Sequence, residues 1–158
     1  MADAGFFDAG PDTPLVLKAE DADDLGVISA LVQDAVLSAN EASYDSKARR
    51  LAILINRFRW EDAEAARREK REFERVRALL VINDVLKVQS DGVDRNADTV
   101  LELLTIDWRP GADGTGRMLL EFAGDGTLAV DVECINLDLR DVTRPYVAPS
   151  GKAPSHPE

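Results

Sequence analysis

The sequence predicts an α+β domain: a mostly antiparallel β-sheet, folded as a sandwich or a partly open barrel, with one principal helix near the N-terminus. Two observations indicate this class. Short apolar runs typical of strands recur between residues 36 and 139, with turn-forming residues between them. The segment before them, residues 25–35, instead has the apolar spacing of an amphipathic helix. A chain of 158 residues is long enough for one domain to bury a core without disulfides.

The first predicted elements are a strand at residues 15–19 and the helix that follows it. Asp21 or Asp23 can cap this helix, because an aspartate side chain accepts a hydrogen bond from an amide that the first turn leaves unpaired. The apolar stripe of the helix consists of Leu25, Ile28, Leu31, Val32 and Ala35.

A β-hairpin is predicted next, because residues 36–42 and 49–60 are strand-like and flank turn-forming residues at 44–46. All residues from 51 to 55 are apolar, whereas a strand with one solvent-facing side alternates. We therefore expect both faces of this half-strand to be covered, one of them by the helix.

The second half of this strand has a different pattern. Arg57 and Arg59 alternate with Phe58 and Trp60, which predicts a half-exposed strand with both arginines on its solvent side. Residues 61–75 are charged nearly all round, and we expect a long, partly helical excursion there. The remaining strands are predicted at residues 76–82, 85–88, 100–108, 117–122 and 127–139, with a hairpin turn at 124–126.

The strand region can also be interpreted as a duplicated β-unit. A shift of 49 residues brings four residues onto identical ones, a number little above what a β-rich composition gives by chance. The matched residues are Leu79, Val81, Val93 and Arg95, which meet Leu128, Val130, Val142 and Arg144.

Composition sets the expected domain bounds. Residues 14–144 hold the predicted elements and form a single domain. Residues 1–13 are rich in Gly, Asp, Ala and Pro, and residues 145–158 are rich in proline, so both are expected to be mobile tails. The residues of these tails that could pack against the domain are Phe6, Phe7, Tyr146 and Val147.

Charge excludes several partner classes. A net charge of −11 argues against a protein that coats nucleic acid or an anionic membrane, because both need a broad positive surface. No apolar run approaches the roughly 20 residues that cross a bilayer. A single cysteine permits no internal disulfide, so a cytoplasmic location is expected. Residues 47–77 alone are basic: their net charge is +5, against −16 for the rest of the chain.

Most catalytic classes are also disfavoured, and neither a catalytic residue nor a cofactor is predicted. The only histidine, His156, lies in the expected C-terminal tail, whereas nucleophilic catalysis needs an imidazole held beside the nucleophile. Cys134 is expected to be a small buried side chain. Strand carboxylates could hold Mg²⁺ or act as an acid–base pair, although acid-rich strands are more often the solvated face of a sheet. These carboxylates are Asp84, Asp91, Asp131, Glu133, Asp138 and Asp141.

The best candidate site lies on the predicted hairpin. Arg57 and Arg59, about 7 Å apart on one side of a strand, could bind a phosphate, a carboxylate or an acidic partner loop through bidentate hydrogen bonds. The competing interpretation is that acids of the chain, such as Glu102 or Asp107, neutralise them. The full set of candidate anion- or partner-binding residues is Arg49, Arg50, Asn56, Arg57 and Arg59.

The motif Asn56-Arg57-Phe58-Arg59-Trp60-Glu61, together with residues 100–104 and 132–135, resembles a small uncharacterised bacterial domain family, a domain of unknown function. The resemblance covers about residues 15–142. It implies a single-domain bacterial cytoplasmic protein, and no functional residues carry over from it.

Two functional hypotheses follow. The first is a non-enzymatic interaction module that uses the basic hairpin surface to bind a protein partner or a second copy of itself. The alternative is a carboxylate- or metal-dependent enzyme, or a sensor of a small anionic ligand.

Overall fold

A computed structural model of the chain describes residues 13–93, 96, 99–147 and 153–154. Phe6, Phe7, Arg95 and His156 lie outside the described residues, as does most of both predicted tails. The helices are α1 (Ala22–Leu31) and α2 (Trp60–Arg68). The strands are β1 (Val16–Ala19), β2 (Ala35–Ser38), β3 (Ala42–Asp45), β4 (Arg50–Phe58), β5 (Glu74–Ile82), β6 (Val85–Asp91), β7 (Val100–Pro110), β8 (Gly116–Phe122), β9 (Thr127–Val132), β10 (Leu137–Asp141) and β11 (Tyr146–Val147).

The strands form one sheet in the order β1-β10-β5-β4-β2-β7-β8-β9-β6, with β3 paired to β4 and β11 paired to β5. Every pairing among the described residues is antiparallel. The sheet is not closed, and β1 and β6 are its edges. The predicted α+β class is therefore confirmed.

The sheet folds around a single core. Alternate residues of β4 and β5 point into it, among them Ile53, Ile55 and Leu80, each at most 2% exposed. Helix α1 adds Leu25 and Ile28 and packs against β1 and β7. Asp21 caps α1 as expected: its Oδ1 accepts a hydrogen bond from the amide of Asp24 at 2.8 Å.

Two predicted elements differ from the structure. The predicted strand at residues 36–42 is divided between β2 and β3 by the 3-10 turn Ala39–Glu41, so the hairpin turn follows Asp45 instead of lying at residues 44–46. Residues 127–139 are not one strand, because the chain leaves β9 at residue 133 and crosses to the other half of the sheet as β10. The amide of Glu133 donates to the Asp84 carbonyl at 3.0 Å and stabilises this crossing. The expected burial of Cys134 is consequently wrong, because the crossing exposes its side chain.

The predicted charged excursion between two strands is partly helical, as expected. Helix α2 begins at Trp60 and ends at Arg68, and β5 begins at Glu74. Only Ala66 of α2 is buried, so α2 is a second, peripheral helix. Neither helix among the described residues is long and apolar enough to span a bilayer.

The 49-residue shift does not relate equivalent positions. Leu79 and Val81 face away from the core on β5, whereas their matches Leu128 and Val130 face the core on β9. The start of the predicted C-terminal tail also packs on the domain, because Tyr146 and Val147 pair with β5.

Candidate interaction surface

Arg57 lies inside the protein rather than on its surface. Its side chain is fully buried on the core side of β4, where it contacts two carboxylates. Nε and Nη2 donate to Asp141 at 3.1 and 3.0 Å, and Nη1 and Nη2 donate to Glu61 at 2.9 and 2.7 Å. Nη1 also donates to the Phe58 carbonyl at 3.3 Å. All five N–H groups of the guanidinium are therefore used within the chain.

This network shifts the pKa of each member. Burial alone would lower the pKa of Arg57, but hydrogen bonds and charge from Glu61 and Asp141 outweigh it and raise that pKa. Burial would raise the pKa of Glu61, but Arg57 lowers it overall. For Asp141 burial dominates, so its pKa is raised despite Arg57 and the amide of Leu15, which donates at 2.9 Å.

Arg59 is also nearly buried, because β4 ends before it and its backbone leads into α2. Its Nη1 donates to Glu74 Oε1 at 2.5 Å, and Asp62 lies 3.8 Å away. The expectation that Arg57 and Arg59 share an exposed face is wrong, because the strand pattern ends at Phe58. The acids that neutralise them are not Glu102 and Asp107 but Asp141 and residues of the α2 region.

Asn56 is engaged in the fold as well. Its Oδ1 accepts a hydrogen bond from Arg75 Nε at 2.7 Å, and its Nδ2 donates to the hydroxyl of Tyr146 at 2.5 Å. Arg75 Nη2 also donates to the Asn56 carbonyl at 2.8 Å. These bonds join β4, β5 and β11.

Arg49 and Arg50 are the two candidates that lie on the surface. Arg49 forms an ion pair with Glu133. Arg50 is exposed and reaches only the side-chain oxygen of Asn83, at 3.4 Å. The structure thus brings Arg57 near Arg59 through one shared acid, Glu61, which lies 2.7 Å from Arg57 Nη2 and 3.9 Å from Arg59 Nε. Arg50 is the predicted residue that is best placed to meet a partner.

Arg50 borders an apolar face that the described residues leave uncovered. Both β4 and β5 contain five consecutive apolar residues, at 51–55 and 78–82. One side of each run lies in the core, but Ala52 and Leu79 point outward and remain partly exposed. The expectation that both faces of residues 51–55 are covered is therefore wrong among the described residues, because α1 packs on β1 and β7 and contributes to the core side only.

Strand register arranges the outward side chains in rows. One row runs across Val16, Arg140, Leu79 and Leu54, and the next across Lys18, Asp138, Val81 and Ala52. Together they border an open depression of about 590 Å³. We call it the outer-face surface and define it by the aliphatic residues Val16, Ala52, Leu79 and Val81 and the polar residues Arg50, Asn83, Asp138 and Arg140.

The arginines of the outer-face surface lack acidic partners. Neither Arg50 nor Arg140 forms an ion pair with any described residue, whereas Asp138 lies 3.6 Å from the ammonium of Lys18. An aliphatic centre bordered by unpaired guanidiniums has the composition of a protein-binding surface, because arginine is enriched in such interfaces. Sequence reasoning missed Val16, Leu79, Val81 and Arg140; the two fully apolar runs were the available signal.

The strand carboxylates do not gather into a metal centre. Within the described residues, no group of three or more His, Cys, Asp or Glu side chains could hold a metal ion. The carboxylates have separate partners: Asp131 binds Arg117, Glu133 binds Arg49 and Asp141 binds Arg57.

Comparison with known proteins identifies a family. No curated protein and no solved structure matches the chain. A family model described as "Protein of unknown function (DUF2948)" matches residues 15–156, which confirms the resemblance to a domain of unknown function. Because this match spans most of its length, the chain belongs to the DUF2948 family.

Proposed function

We propose that this protein is a non-enzymatic interaction module that binds a protein partner through the outer-face surface. One observation carries the proposal: two adjacent strands each contain five consecutive apolar residues, yet the described part of the chain buries only one face of these stretches. Strands that are apolar on both sides are typical of sheets covered on both sides. The uncovered side is the one that a partner would bury.

The charges around this face indicate the chemistry of the partner. Arg50 and Arg140 flank the aliphatic residues and form no ion pair with a described residue, in a chain whose net charge is −11. A complementary partner presents aliphatic side chains flanked by carboxylates. Bidentate arginine–carboxylate bonds would then fix its orientation. We place this interaction in the cytoplasm, with which the exposed free thiol of Cys134 is compatible.

The spacing of the two arginines favours a macromolecule over a small anion. Arg140 of β10 pairs with Leu79 of β5, and Leu79 pairs with Leu54 of β4. Leu54 is four residues from Arg50 along β4. Two strand spacings across the sheet and four residues along it place the two Cα atoms on the order of 16 Å apart. One phosphate cannot bridge guanidiniums at that separation unless both side chains bend towards it, whereas a peptide segment spans it.

Capture experiments with matched variants test the proposal. Four forms of the chain are immobilised and exposed to extract of the source cells at low and high salt. They are the wild type, the double variants Arg50→Glu/Arg140→Glu and Leu79→Ser/Val81→Ser, and the control Lys87→Glu. Lys87 is an exposed cation on β6, away from the outer-face surface. We expect one protein to be retained by wild type and Lys87→Glu, and at least about tenfold less by the two double variants.

Salt and self-association complete the test. High salt should weaken capture, because the flanking charges are exposed and therefore screened. Sedimentation of the purified chain distinguishes a second copy from a different partner. Identical capture by all four chains, together with a monomer at every concentration, would overturn the proposal. Stabilisation by Mg²⁺ or by a phosphorylated metabolite in a melting assay would instead favour the alternative, a carboxylate-dependent enzyme or anion sensor.

A further inference from the structure

A second concave site lies on the opposite side of β4 from the outer-face surface. It is a cavity of about 340 Å³ that opens where β3 and β4 face β6 and β9 across the folded sheet. Leu51 and Ile53 of β4 line it, whereas Ala52 between them belongs to the outer-face surface. The two sites are therefore separated by the thickness of the sheet.

The local topology explains why this space is not filled. Strand β3 pairs with β4 alone, and a short 3-10 turn, Ala39–Glu41, separates it from β2, which continues the sheet to β7. The wall at this point is built from small side chains, Ala39 and Ala42. Larger residues there would occupy the cavity.

The lining is apolar and uncharged. Ten of the twelve lining residues are aliphatic or phenyl side chains, and the other two, Tyr44 and Ser90, carry hydroxyl groups. The ring of Tyr44 is 39% exposed, which places it at the cavity mouth. The apolar residues are Leu37, Ala39, Ala42, Leu51, Ile53, Val88, Val93, Leu101, Phe122 and Leu128.

We propose that this cavity binds a small, neutral, apolar molecule that carries one hydrogen-bonding group. An apolar cavity of about 150 Å³ accepts benzene, so the volume here suits a molecule roughly twice that size. The apolar part lies between the two halves of the sheet, and its polar group meets the Tyr44 hydroxyl at the mouth. A charged ligand is disfavoured, because none of the described lining residues would compensate for the loss of its hydration.

Fluorescence titration tests the proposal with a defined probe. N-phenyl-1-naphthylamine is neutral and becomes fluorescent in apolar sites. We expect saturable binding to the full chain, displaced by 1-octanol or 1-decanol at least about tenfold more effectively than by octanoate or decanoate, since the carboxylates must lose hydration. The probe failing to saturate, or equal displacement by alcohols and carboxylates, would overturn the proposal.

Variants locate the bound probe. Ala42→Leu fills the cavity, and Ala129→Leu adds the same atoms on the other face of the sheet, on β9 next to the lining residue Leu128. We expect Ala42→Leu to weaken probe binding at least about tenfold without lowering the melting temperature, and Ala129→Leu to leave binding unchanged. If Ala42→Leu does not fold, Leu128→Phe serves the same purpose. Equal binding by the folded filling variant and by wild type would overturn the proposal.

Discussion

At the scale of single residues, Arg57 shows where sequence reasoning stops. Arg57 follows the apolar run 51–55 and precedes Phe58, a pattern that predicts a strand, and that prediction is confirmed. Its burial depends on Asp141, which is 84 residues away in sequence and reaches it only because β5 pairs with both β4 and β10. No local pattern contains that information, because a charged side chain at a strand end is usually exposed.

Replacing Arg57 should destabilise the fold, because its side chain is buried. Arg57→Met leaves Asp141 buried without its partner, so we expect a loss of about 3–5 kcal/mol in the free energy of unfolding, measured by urea denaturation. The triple variant Arg57→Met/Asp141→Asn/Glu61→Gln removes the uncompensated charge and keeps an acceptor for the Leu15 amide. It should recover more than half of the loss. A triple variant no more stable than Arg57→Met would show that unpaired charge is not the cause.

The acids around Arg57 predict a specific pH dependence. The folded state holds the pKa of Glu61 below its ordinary value of 4.5, because hydrogen bonds from Arg57 outweigh the effect of burial. Its contribution to stability is therefore complete above about pH 4.5 and is lost as the pH falls through the lowered pKa. The contribution of Asp141 depends on pH in the opposite direction. Because its pKa is raised in the folded state, it stabilises the fold at low pH, and this stabilisation is lost as the pH rises.

Comparison of wild type with Glu61→Gln isolates the first effect, because Asp141 is present in both. The difference in their free energies of unfolding should be largest near neutral pH and shrink below about pH 4.5. Urea denaturation from about pH 3 to about pH 7 measures it. A difference that is constant over this range would contradict the lowered pKa.

At the scale of elements, local patterns predicted most of the fold. The capped helix α1 and the turn between β8 and β9 each follow from residues close together in sequence, whereas the predicted hairpin is displaced, because β3 occupies part of the predicted turn. The errors arose where tertiary pairing decides the outcome. Residues 127–139 alternate as one strand would, yet they serve two different pairings, β9 with β8 and β10 with β5.

The hairpin of β7 and β8 contains a close approach that only glycine allows. A Cβ on Gly116 would overlap the ring of Trp108 and lie 2.7 Å from the Arg109 carbonyl oxygen. Gly116→Ala should therefore cost about 1–3 kcal/mol of the free energy of unfolding. Gly26→Ala is the control, because it lies in α1 with no atom within 4 Å of the new Cβ, and it should be neutral or stabilising. Similar effects of the two substitutions in thermal unfolding would contradict this packing.

At the scale of the whole molecule, the fold partly neutralises the basic segment, residues 47–77. Arg57, Arg59, Arg71 and Arg77 all contact carboxylates, and Arg49 pairs with Glu133. The basic segment of the sequence therefore contains both the buried ion pairs of Arg57 and the exposed Arg50 of the outer-face surface. The apolar runs of β4 and β5 were the better guide to the outer-face surface, but their outer side could be identified only once the position of α1 was known.

Site-specific photocrosslinking measures partner contact at the outer-face surface most directly. A photoreactive p-benzoylphenylalanine is placed at Val81 on this surface, or at Leu86, a 50%-exposed leucine on β6, in chains expressed in the source cells. We predict a crosslinked adduct with another protein from position 81, absent from position 86 and lost in the Arg50→Glu/Arg140→Glu background. An adduct twice the mass of the chain would identify a second copy as the partner. No adduct at position 81, or equal adducts at both positions, would contradict the claim that this face binds a partner.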